Sequence, residues 1–429
     1  MSNDLLIKNG RIIDPANQID AVGDVLITNG SFAKVGGKIS APGAREIDAS
    51  GKFVTPGLID IHVHFREPGD EEEETIASGS AAAVRGGFTS VVCMPNTDPP
   101  IQDATSVEYV HRMGRQTRKT HVYVMGALTK ERKGVELAEM GLMTRAGAVG
   151  FTDDGSGVQD PSVMLRALKY AAMFNTVIAQ HCQYDSLAKN GVMNSGYNST
   201  ILGLPGLDSL AEEMMLWRDI QLVKKTGVRY HCQHISTAGS VELIRQAKAQ
   251  KLPITCEVTP HHMLFTDDAC ADYDTNYKVN PPLRTAADIE ALKNAIKEGL
   301  VDALVTDHAP HLQSEKELEF VVSPFGIASL ECALGLYIKA LIEPGIIDWP
   351  ALINLMTAGP AKVVGLNKGT MTLAAQGDVT IFDPNARYCV DTSKFKSKSR
   401  NCPYQGWDIS GKIEYTIVGG EIRYNSEQG

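Results

Sequence analysis

Cysteine, long apolar runs and targeting features are scarce in this sequence. The eight cysteines among 429 residues never occur in a Cys-x-x-Cys spacing, which argues against a disulfide framework and against a structural zinc site. No apolar run of about 18 residues is present, so no transmembrane helix is expected. The first residues lack the basic and apolar regions of a signal peptide. These absences predict a cytoplasmic protein.

Positive charge is also in short supply. The chain has 41 lysine and arginine residues against 51 aspartate and glutamate residues, which gives a formal net charge of −10. A nucleic-acid-binding protein needs a basic face, so the sequence does not support that class of function. With 43% hydrophobic and 21% charged residues, the composition is typical of a globular protein that is long enough for one large domain and a smaller one.

Short strand patterns occupy both ends of the chain. Near the N-terminus, four apolar segments are separated by turn residues at Asn9-Gly10, Asn29-Gly30 and Gly36-Gly37. Similar strand patterns return at 377–383 and 413–420. We therefore predict that residues 1–55 and 368–429 pair into one small β-sandwich domain, which flanks the rest of the chain.

The region 56–367 has a different texture, in which buried strands alternate with helical patterns. Each strand candidate carries a polar residue at or just past its C-terminal end, and the eight candidates are 58–65, 89–95, 121–127, 148–152, 176–182, 228–235, 253–259 and 302–307. This alternation indicates a parallel sheet. Eight units predict a (β/α)8 TIM-type barrel, whose chemistry lies at the C-terminal ends of the strands. A doubly wound open sheet is the alternative, but no glycine-rich turn follows the first strand.

The most informative stretch is the first of these strands. Apolar residues alternate in it with Asp60, His62 and His64, which is the period of a strand. Two imidazoles two residues apart leave the strand on the same side, roughly 7 Å apart along it, so they can close on one metal ion. A lone histidine on a strand is more often a buried core residue, but His-x-His followed shortly by Arg66 favours a metal site.

Further residues of metal-binding type fall at the ends of other strands. Together they give six candidate ligands, which are His62, His64, Asp154, His181, His234 and Asp307. Imidazole with carboxylate suits Zn²⁺ and similar ions. Four histidines and an aspartate can hold two metals if one more anionic group bridges them, and such a pair stabilises hydroxide and polarises a carbonyl. A nearby carboxylate can carry the proton to a leaving nitrogen, so the pattern predicts amide hydrolysis.

Adjacent aspartates compete for the bridging role. Asp154 shares its strand parity with Gly150 and Thr152 and should point inward, whereas Asp153 shares the parity of Phe151 and should face the helices. Parity is a weaker guide in parallel sheets, because their strands are buried on both faces. We therefore expect Asp154, and not Asp153, to be the bridge.

Other polar residues are expected to matter less. His231 has the opposite parity to His234 and is interpreted as structural. The pair His261-His262 either lines the rim of the pocket or caps a turn. The four glutamates at 71–74 are interpreted as a solvated first turn of the next helix, where the helix dipole favours them. Residues 183–206 are a candidate loop.

Longer motifs cover nearly the whole chain. They lie at 56–69, 86–97, 151–155, 181–182, 234–237, 257–262, 278–284, 306–311 and 324–327. The set that includes Phe-Arg-Glu-Pro-Gly, Met-Pro-Asn-Thr, Asn-Pro-Pro-Leu-Arg and Asp-His-Ala-Pro-His resembles the dihydroorotase family, in its bacterial type I class, within the amidohydrolase superfamily. The first-strand motif alone marks only the superfamily, whereas the full set is highly specific.

The resemblance implies a zinc-dependent cyclic amidohydrolase that reversibly closes N-carbamoyl-L-aspartate to L-dihydroorotate, with loss of water, in pyrimidine biosynthesis. It implies two zinc ions per subunit, held by the six candidate ligands and bridged by Asp154 and a hydroxide. That hydroxide would attack the ring amide carbonyl. Asp307 would be the catalytic residue that transfers the proton between the hydroxide and the ring nitrogen.

The resemblance also assigns substrate contacts. The implied substrate-binding residues are His64, Arg66, Asn96, Asn280, His311, Phe325 and Gly326. Arg66, Asn96 and His311 would bind the substrate carboxylate, for which the guanidinium fork is well shaped. Asn280 and the backbone around Phe325 and Gly326 would contact the ring amides.

Some features distinguish this chain from other relatives. Residues 150–154 contain no lysine, although many relatives use a carboxylated lysine as the bridge, so an aspartate-bridged subclass is favoured. Dihydropyrimidinases and allantoinases normally have that lysine, and their substrates offer no α-carboxylate to Arg66. Metal-free structural subunits that assemble with aspartate transcarbamoylase lose ligand histidines, which this chain keeps. A homodimer is expected by resemblance, and assembly with aspartate transcarbamoylase is left open.

Overall fold

The strands divide between a barrel and a second sheet. In the computed structural model, which describes residues 4–427, they are β1 Leu5–Asp14, β2 Ile19–Thr28, β3 Ser31–Val35, β4 Arg45–Asp48, β5 Phe53–Pro56, β6 Leu58–Val63, β7 Phe88–Cys93, β8 His121–Ala127, β9 Gly150–Thr152, β10 Val177–Gln180, β11 Met193–Asn194, β12 Gly206–Leu207, β13 Tyr230–Cys232, β14 Ile254–Val258, β15 Ala303–Leu304, β16 Val379–Cys389, β17 Asp408–Val418 and β18 Glu421–Asn425.

Helices lie mainly between the barrel strands. They are α1 Ile76–Arg85, α2 Ala104–Thr117, α3 Met140–Ala146, α4 Pro161–Ala171, α5 Asp185–Ala188, α6 Tyr197–Leu202, α7 Leu210–Thr226, α8 Ala238–Ala249, α9 His261–Leu264, α10 Ala286–Lys297, α11 Gln313–Lys316, α12 Ala333–Tyr337, α13 Trp349–Leu355 and α14 Ala358–Val364. A π-helical turn, Ile338–Ile342, continues α12. Within the described part of the chain, no helix is long and apolar enough to cross a membrane.

Capping side chains mark where several barrel helices begin. Thr75 precedes α1 and accepts a hydrogen bond from the backbone N–H of Ser78, whose hydroxyl in turn accepts from the N–H of Thr75. Asp103 and Ser106 form the same reciprocal box before α2. These short polar residues satisfy N–H groups that have no partner inside the helix. The capping residues therefore fix where α1 and α2 begin.

The barrel is the one predicted from strand and helix alternation. Its eight strands are parallel and lie in the order β15-β14-β13-β10-β9-β8-β7-β6, and all eight overlap the segments predicted from the sequence. The circle closes between β6 and the segment after β15, where the N–H of His64 donates to the carbonyl of His308 at 2.9 Å. Closure brings the C-terminal ends of all eight strands to one face of the barrel.

Strands from both termini form the second sheet, as predicted. Its order is β18-β17-β16-β5-β1-β2-β3, with β4 paired to β1, and its strands surround a separate apolar core. The chain passes from β5 into β6 through Gly57, where an added Cβ would lie 2.1 Å from the hydroxyl oxygen of Thr89. Glycine is therefore required at this junction. The domain boundaries at residues 56 and 367 stay a prediction.

Two local predictions were wrong. The expected turn at Asn9-Gly10 is a bulge inside the continuous strand β1, because the pairing register with β2 shifts between Ile7 and Gly10. Asn9 has a φ of 62°, which places it in the left-handed region where asparagine is tolerated. The candidate loop at 183–206 contains α5, β11 and α6, which are too short to show a clear period.

Three aromatic rings pack at the seam between the two parts of the fold. Phe53 of β5 lies edge-to-face with Trp349 and Phe382, at centroid distances of 4.9 and 5.4 Å. Phe382 of β16 is completely buried. Because these rings come from both sheet and helix, they bind the terminal sheet to the barrel through apolar contact.

We predict that Phe382→Ala lowers the free energy of unfolding by about 3–5 kcal/mol, since it leaves a cavity in this seam. Urea denaturation followed by circular dichroism measures the change. Val22→Ala is the control, because Val22 is 72% exposed and its truncation should change stability by less than about 0.5 kcal/mol. An unchanged unfolding midpoint for Phe382→Ala would show that the seam does not stabilise the fold.

Candidate metal centre

The six predicted ligands converge at the C-terminal face of the barrel. His62 lies in β6 and His64 just after it, Asp154 follows β9, His181 follows β10, His234 follows β13 and Asp307 follows β15. All six side chains are buried. Residues that are up to 245 positions apart in sequence thus meet because a closed parallel barrel gathers its strand ends.

Asp154 lies among imidazoles from different strands. Its Oδ1 is 3.4 Å from His62 Nε2 and 3.7 Å from His234 Nε2, and its Oδ2 is 3.6 Å from His64 Nε2. These distances are longer than good hydrogen bonds. They leave space between the atoms that a shared cation would occupy.

Asp307 approaches the same histidines from the other side. Its Oδ1 is 2.9 Å from His64 Nε2 and 3.5 Å from His62 Nε2. His181 Nδ1 and His234 Nε2 are 3.0 Å apart. The cluster contains two overlapping sets whose ligand atoms all lie within 4.8 Å of one another, His62 with His64 and Asp307, and His62 with Asp154 and His234.

Unpartnered atoms show that this donor set fits metal ions. His62 Nε2 and Asp154 Oδ1 are buried, have no hydrogen-bond partner and lie 3.4 Å apart. A buried polar atom without a partner is costly, yet here two of them face one small space. Imidazole nitrogens and carboxylate oxygens are ligands for Zn²⁺ and similar cations, so these residues are able to hold metal.

The electrostatics of the cluster favour ionised carboxylates. Burial opposes ionisation of Asp154 and Asp307, but His62 and the neighbouring histidines outweigh it and hold both carboxyl pKa values well below the usual range. Burial also acts to lower the pKa of His62, yet Glu257, Asp154 and Asp307 raise that pKa well above its ordinary value. The two carboxylates are therefore ionised, which is the form that binds cations.

Glu257 orients His62 from the side away from the cluster. Its Oε1 is 2.6 Å from His62 Nδ1 and its Oε2 is 2.9 Å from His231 Nε2. If Nδ1–H donates to this carboxylate, the lone pair of Nε2 faces the cluster, which is the usual support of a metal-binding histidine. His231 lies outside the cluster, consistent with its structural interpretation. No role was predicted for Glu257, although it lies in the strand candidate 253–259.

Two further aspartates brace the strands that carry the ligands. Asp153 accepts from the N–H groups of Leu128 and Thr129 at 2.9 and 3.0 Å, so it points away from the cluster that holds Asp154. Asp60 accepts from the hydroxyl and N–H of Thr306 at 2.6 and 3.1 Å. Asp60 thereby links β6 to the end of β15. Its role was missed, although its position beside His62 on β6 was a usable signal.

The cluster opens into a cavity of about 330 Å³. Its lining includes the predicted substrate residues Arg66, Asn96, Asn280, His311, Phe325 and Gly326. His64 Nδ1 is 2.8 Å from Asn96 Oδ1, which leaves His64 Nε2 free to face the metal ligands. All the predicted substrate residues are therefore brought together with the ligand cluster.

Arg66 is fixed in the wall of this cavity. Its Nε donates to the carbonyl of Pro310 at 3.1 Å and lies 3.0 Å from Glu73 Oε2. Its Nη2 is 3.2 Å from His311 Nε2, and that nitrogen is 2.8 Å from the carbonyl of Phe325. The cavity is thus lined by a guanidinium as well as by the candidate metal ligands.

The glutamates at 71–74 correct a prediction. Glu71 and Glu72 are exposed as expected, but the run is not the first turn of a helix, because α1 begins at Ile76. Glu73 contacts Arg66 and lies 3.3 Å from His311 Nδ1. Glu74 is completely buried and accepts hydrogen bonds from the hydroxyls of Ser78 and Ser397. The charge run alone did not reveal these long-range partners.

His262 takes the turn-capping role that was one of its two interpretations. Its Nδ1 is 2.7 Å from Thr259 Oγ1 and its Nε2 is 2.9 Å from the carbonyl of Pro281. It therefore fastens the segment that carries Asn280. His261 is also fully buried, and neither of its ring nitrogens has a hydrogen-bond partner.

Comparisons with known proteins found one matching family model and several solved structures with the same fold. A family model described as Dihydro-orotase-like matches residues 51–240. The L-hydantoinase (dihydropyrimidinase) from Arthrobacter aurescens is 27% identical in sequence and superposes with a TM-score of 0.86, covering 98% of this chain and 96% of its own. The dihydropyrimidinase from Brevibacillus agri has the same fold, with a TM-score of 0.85 over 99% of this chain and 96% of its own at 21% identity.

Sequence relatives are closer. A dihydroorotase from Pelotomaculum thermopropionicum is 48% identical over 97% of this chain and 98% of its own length. A dihydroorotase from Caldanaerobacter subterraneus is 45% identical over 99% of this chain and 98% of its own. Identity at this level along nearly the full length shows that the chain belongs to the dihydroorotase family.

Proposed function

We propose that this protein interconverts N-carbamoyl-L-aspartate and L-dihydroorotate, a cyclic amide hydrolysis and its reverse in pyrimidine biosynthesis. The observation that carries the proposal is one cavity that is lined both by five of the six candidate metal ligands and by Arg66 and His311. Relatives named dihydroorotase support the same activity. The cavity volume of about 330 Å³ suits a small substrate.

The proposed metal ligands are the six residues of the cluster, which together would hold two zinc ions. Zinc is favoured because the donors are imidazoles and carboxylates. When bound, such ions lower the pKa of water and polarise the amide carbonyl. Glu257 and Asn96 fix the orientation of His62 and His64, so the ligand atoms are arranged before any substrate enters.

Asp307 is the proposed proton carrier. Its carboxylate lies in the cluster, with Oδ1 2.9 Å from His64 Nε2, and its pKa is held low, so it is ionised and able to accept a proton. In ring opening, a water oxygen forms a bond to the amide carbon while Asp307 takes its proton. The carbon–nitrogen bond then breaks, and Asp307 returns that proton to the ring nitrogen. Ring closure reverses these steps.

Arg66, Asn96 and His311 would bind the retained carboxylate of the substrate. Arg66 offers a charged guanidinium whose position is set by Pro310 and Glu73, and Asn96 and His311 line the same cavity. Asn280 Oδ1 is buried without a hydrogen-bond partner, and it would accept from a ring N–H. At Gly326 an added Cβ would lie 2.7 Å from the carbonyl of Ala309, so only glycine lets this backbone line the ring.

Two buried lysines hold the loop that carries Phe325 and Gly326. Lys278 Nζ donates to the carbonyls of Val321 and Ser323 at 2.9 and 2.6 Å. Lys316 Nζ donates to the carbonyl of Pro324 at 2.9 Å. Burial lowers the pKa of Lys278 to about 8 and that of Lys316, which also faces Lys278, to about 7.

Other expectations stay predictions. They are a homodimer, an association with aspartate transcarbamoylase and a cytoplasmic location. The size of the cavity is consistent with a small-molecule substrate.

The proposed chemistry predicts that hydrolysis of L-dihydroorotate, followed by its loss of absorbance near neutral pH, disappears on chelation and returns with zinc. Asp307→Asn should lower kcat by roughly 10²–10⁴-fold, because the proton carrier is lost. Asp302→Asn is the matched control, since Asp302 pairs with Lys248 at the opposite end of β15. Full turnover by the chelated protein, with metal removal verified by elemental analysis, would contradict the proposal.

The carboxylate contact predicts a selective defect. Arg66→Gln should raise KM for L-dihydroorotate roughly 10–100-fold, which corresponds to the loss of one charge-assisted hydrogen bond of about 1.5–3 kcal/mol. Steady-state kinetics with L-dihydroorotate and with dihydrouracil, which lacks the carboxylate, measure the effect. Exposed Arg115→Gln is the control. If the wild type opened dihydrouracil as well as L-dihydroorotate, the carboxylate role would be wrong.

Lys316 predicts a pH dependence of stability. Its folded pKa of about 7 lies below the value of about 10.4 in an unfolded chain. Between these values the unfolded state binds more protons, so this lysine makes the free energy of unfolding rise as pH increases from 7 to 10. Lys316→Met should reduce that rise, with the remainder coming from Lys278, whose pKa is about 8, whereas exposed Lys38→Met should leave it unchanged. Parallel slopes for wild type and Lys316→Met in urea denaturation at pH 7, 8 and 9 would refute it.

A further inference from the structure

The connection between β16 and β17 leaves the terminal sheet and reaches the loops that line the cavity. It consists of residues 390–407 and joins two neighbouring strands of that sheet. Within it, Ser399 Oγ donates to the carbonyl of Glu73 at 2.8 Å, and Glu73 contacts Arg66. Asn401 of the same connection is buried, with 4% exposure. The small domain therefore supplies polar contacts to the wall of the proposed active site.

The side chain of Asn401 joins two loops of this wall. Its Nδ2 donates to the carbonyl of Ala309 at 2.9 Å and to the carbonyl of Gly326 at 3.1 Å. Its Oδ1 accepts from the N–H of His311 at 3.2 Å. Ala309, His311 and Gly326 all line the cavity. One amide thus uses both of its N–H donors and its oxygen on the backbone of the cavity wall.

Asn401 also extends the backbone pairing between the two loops. The N–H of Ala309 donates to the carbonyl of Ile327 at 3.0 Å, and the N–H of Ala328 donates to the carbonyl of Asn401 at 2.9 Å. The loops are close together here, since a Cβ added at Gly326 would lie 2.7 Å from the carbonyl of Ala309. Asn401 therefore contacts both loops at the place where their separation is smallest and most sensitive.

An amide is the group that meets the demands of this position. Two carbonyl oxygens face one of its atoms, which must be a donor, and the N–H of His311 faces the other, which must be an acceptor. Ionised aspartate has the same shape as asparagine but no donor, so it would place a carboxylate oxygen against two carbonyl oxygens. Buried polar groups that lose their partners are strongly destabilising, and the loops would have to separate.

We propose that Asn401 is a positioning residue, which sets the distance between the loops 309–311 and 325–326 and so places His311 and the backbone of Gly326 for the substrate. It acts through these loops, whose backbone groups it contacts. The inference rests on the proposed function for the identity of that substrate. It makes the small domain a part of the active site, and not only a support for the barrel.

The carbonyl of His308 is held separately from this contact. It accepts from the N–H of His64 at 2.9 Å, in the contact that closes the barrel. Asp307, the proposed proton carrier, directly precedes His308 in the chain. Loss of the Asn401 amide should therefore impair substrate binding more than proton transfer.

Steady-state kinetics with Asn401→Asp test the proposal. KM for L-dihydroorotate should rise roughly 10-fold while kcat changes less than about threefold, as expected when binding common to the ground state and the transition state is lost. Thr416→Val is the matched control. It removes a buried hydrogen bond from the terminal sheet to the carbonyl of Val84, so it should lower stability without changing KM. A wild-type KM in Asn401→Asp would overturn the proposal.

A double-mutant cycle tests whether Asn401 acts through His311. When two residues act through one contact, their effects are not independent. The KM increase of Asn401→Asp combined with His311→Ala should therefore be smaller than the product of the two single increases. A fully multiplicative effect would contradict the positioning role.

Hydrogen–deuterium exchange tests the same role without turnover. In Asn401→Asp, peptides that cover 309–311 and 325–328 should exchange faster, whereas peptides that cover β10 should keep their wild-type rates. Unchanged exchange in both loops would overturn the inference. A wild type that exchanges as expected but does not turn over L-dihydroorotate would overturn the proposed function alone. If Asn401→Asp does not fold, Asn401→Ser takes its place, because it keeps one hydroxyl donor, and the same changes are expected.

Discussion

Buried carboxylates that remain ionised are the constraint on which the rest of the structure depends. Asp154 and Asp307 lie at 3 and 6% exposure, where an isolated charge would be strongly disfavoured. They are tolerated because histidines from three barrel strands face them. Such an arrangement is possible only where many strand ends meet, so the closed barrel and the charge cluster require one another.

Residues around the cluster, Glu257 and Asp60, hold the histidines and the strands that carry them. Glu257 faces two histidines, with both of its oxygens engaged, and those contacts hold its pKa at about 2 despite burial. Asp60 spans two strands that are adjacent only through barrel closure. Without Glu257, the ring of His62 would lose the carboxylate that its Nδ1 faces at 2.6 Å. The orientation of the ligands is therefore a property of the barrel and not of the His-x-His motif alone.

The positions of the candidate metal ligands could be predicted from the sequence better than the roles of the residues that hold them in place. The alternation of polar and apolar residues on one strand identified His62 and His64 as candidate ligands. Strand parity distinguished Asp154, expected to point inward, from Asp153. Glu73 and Glu74 could not be placed, because they resemble an exposed acidic run. Glu73 pairs with Arg66. Glu74 accepts a hydrogen bond from Ser397, which is 323 positions away in the sequence. Local patterns report strand, helix and face, whereas partners distant in sequence emerge only when the fold is closed.

The same reasoning bears on how the cavity would select its substrate under the proposed function. N-carbamoyl-L-aspartate carries two carboxylates, and ring closure consumes one while the other is retained. The retained carboxylate would then face Arg66, and the reacting one would face the candidate metal ligands. Glu73 beside Arg66 keeps this cation in place, and burial raises the pKa of Glu73 despite that neighbour. An uncharged ring amide would offer no carboxylate to the guanidinium, so discrimination would arise from Arg66 and not from the candidate metal ligands.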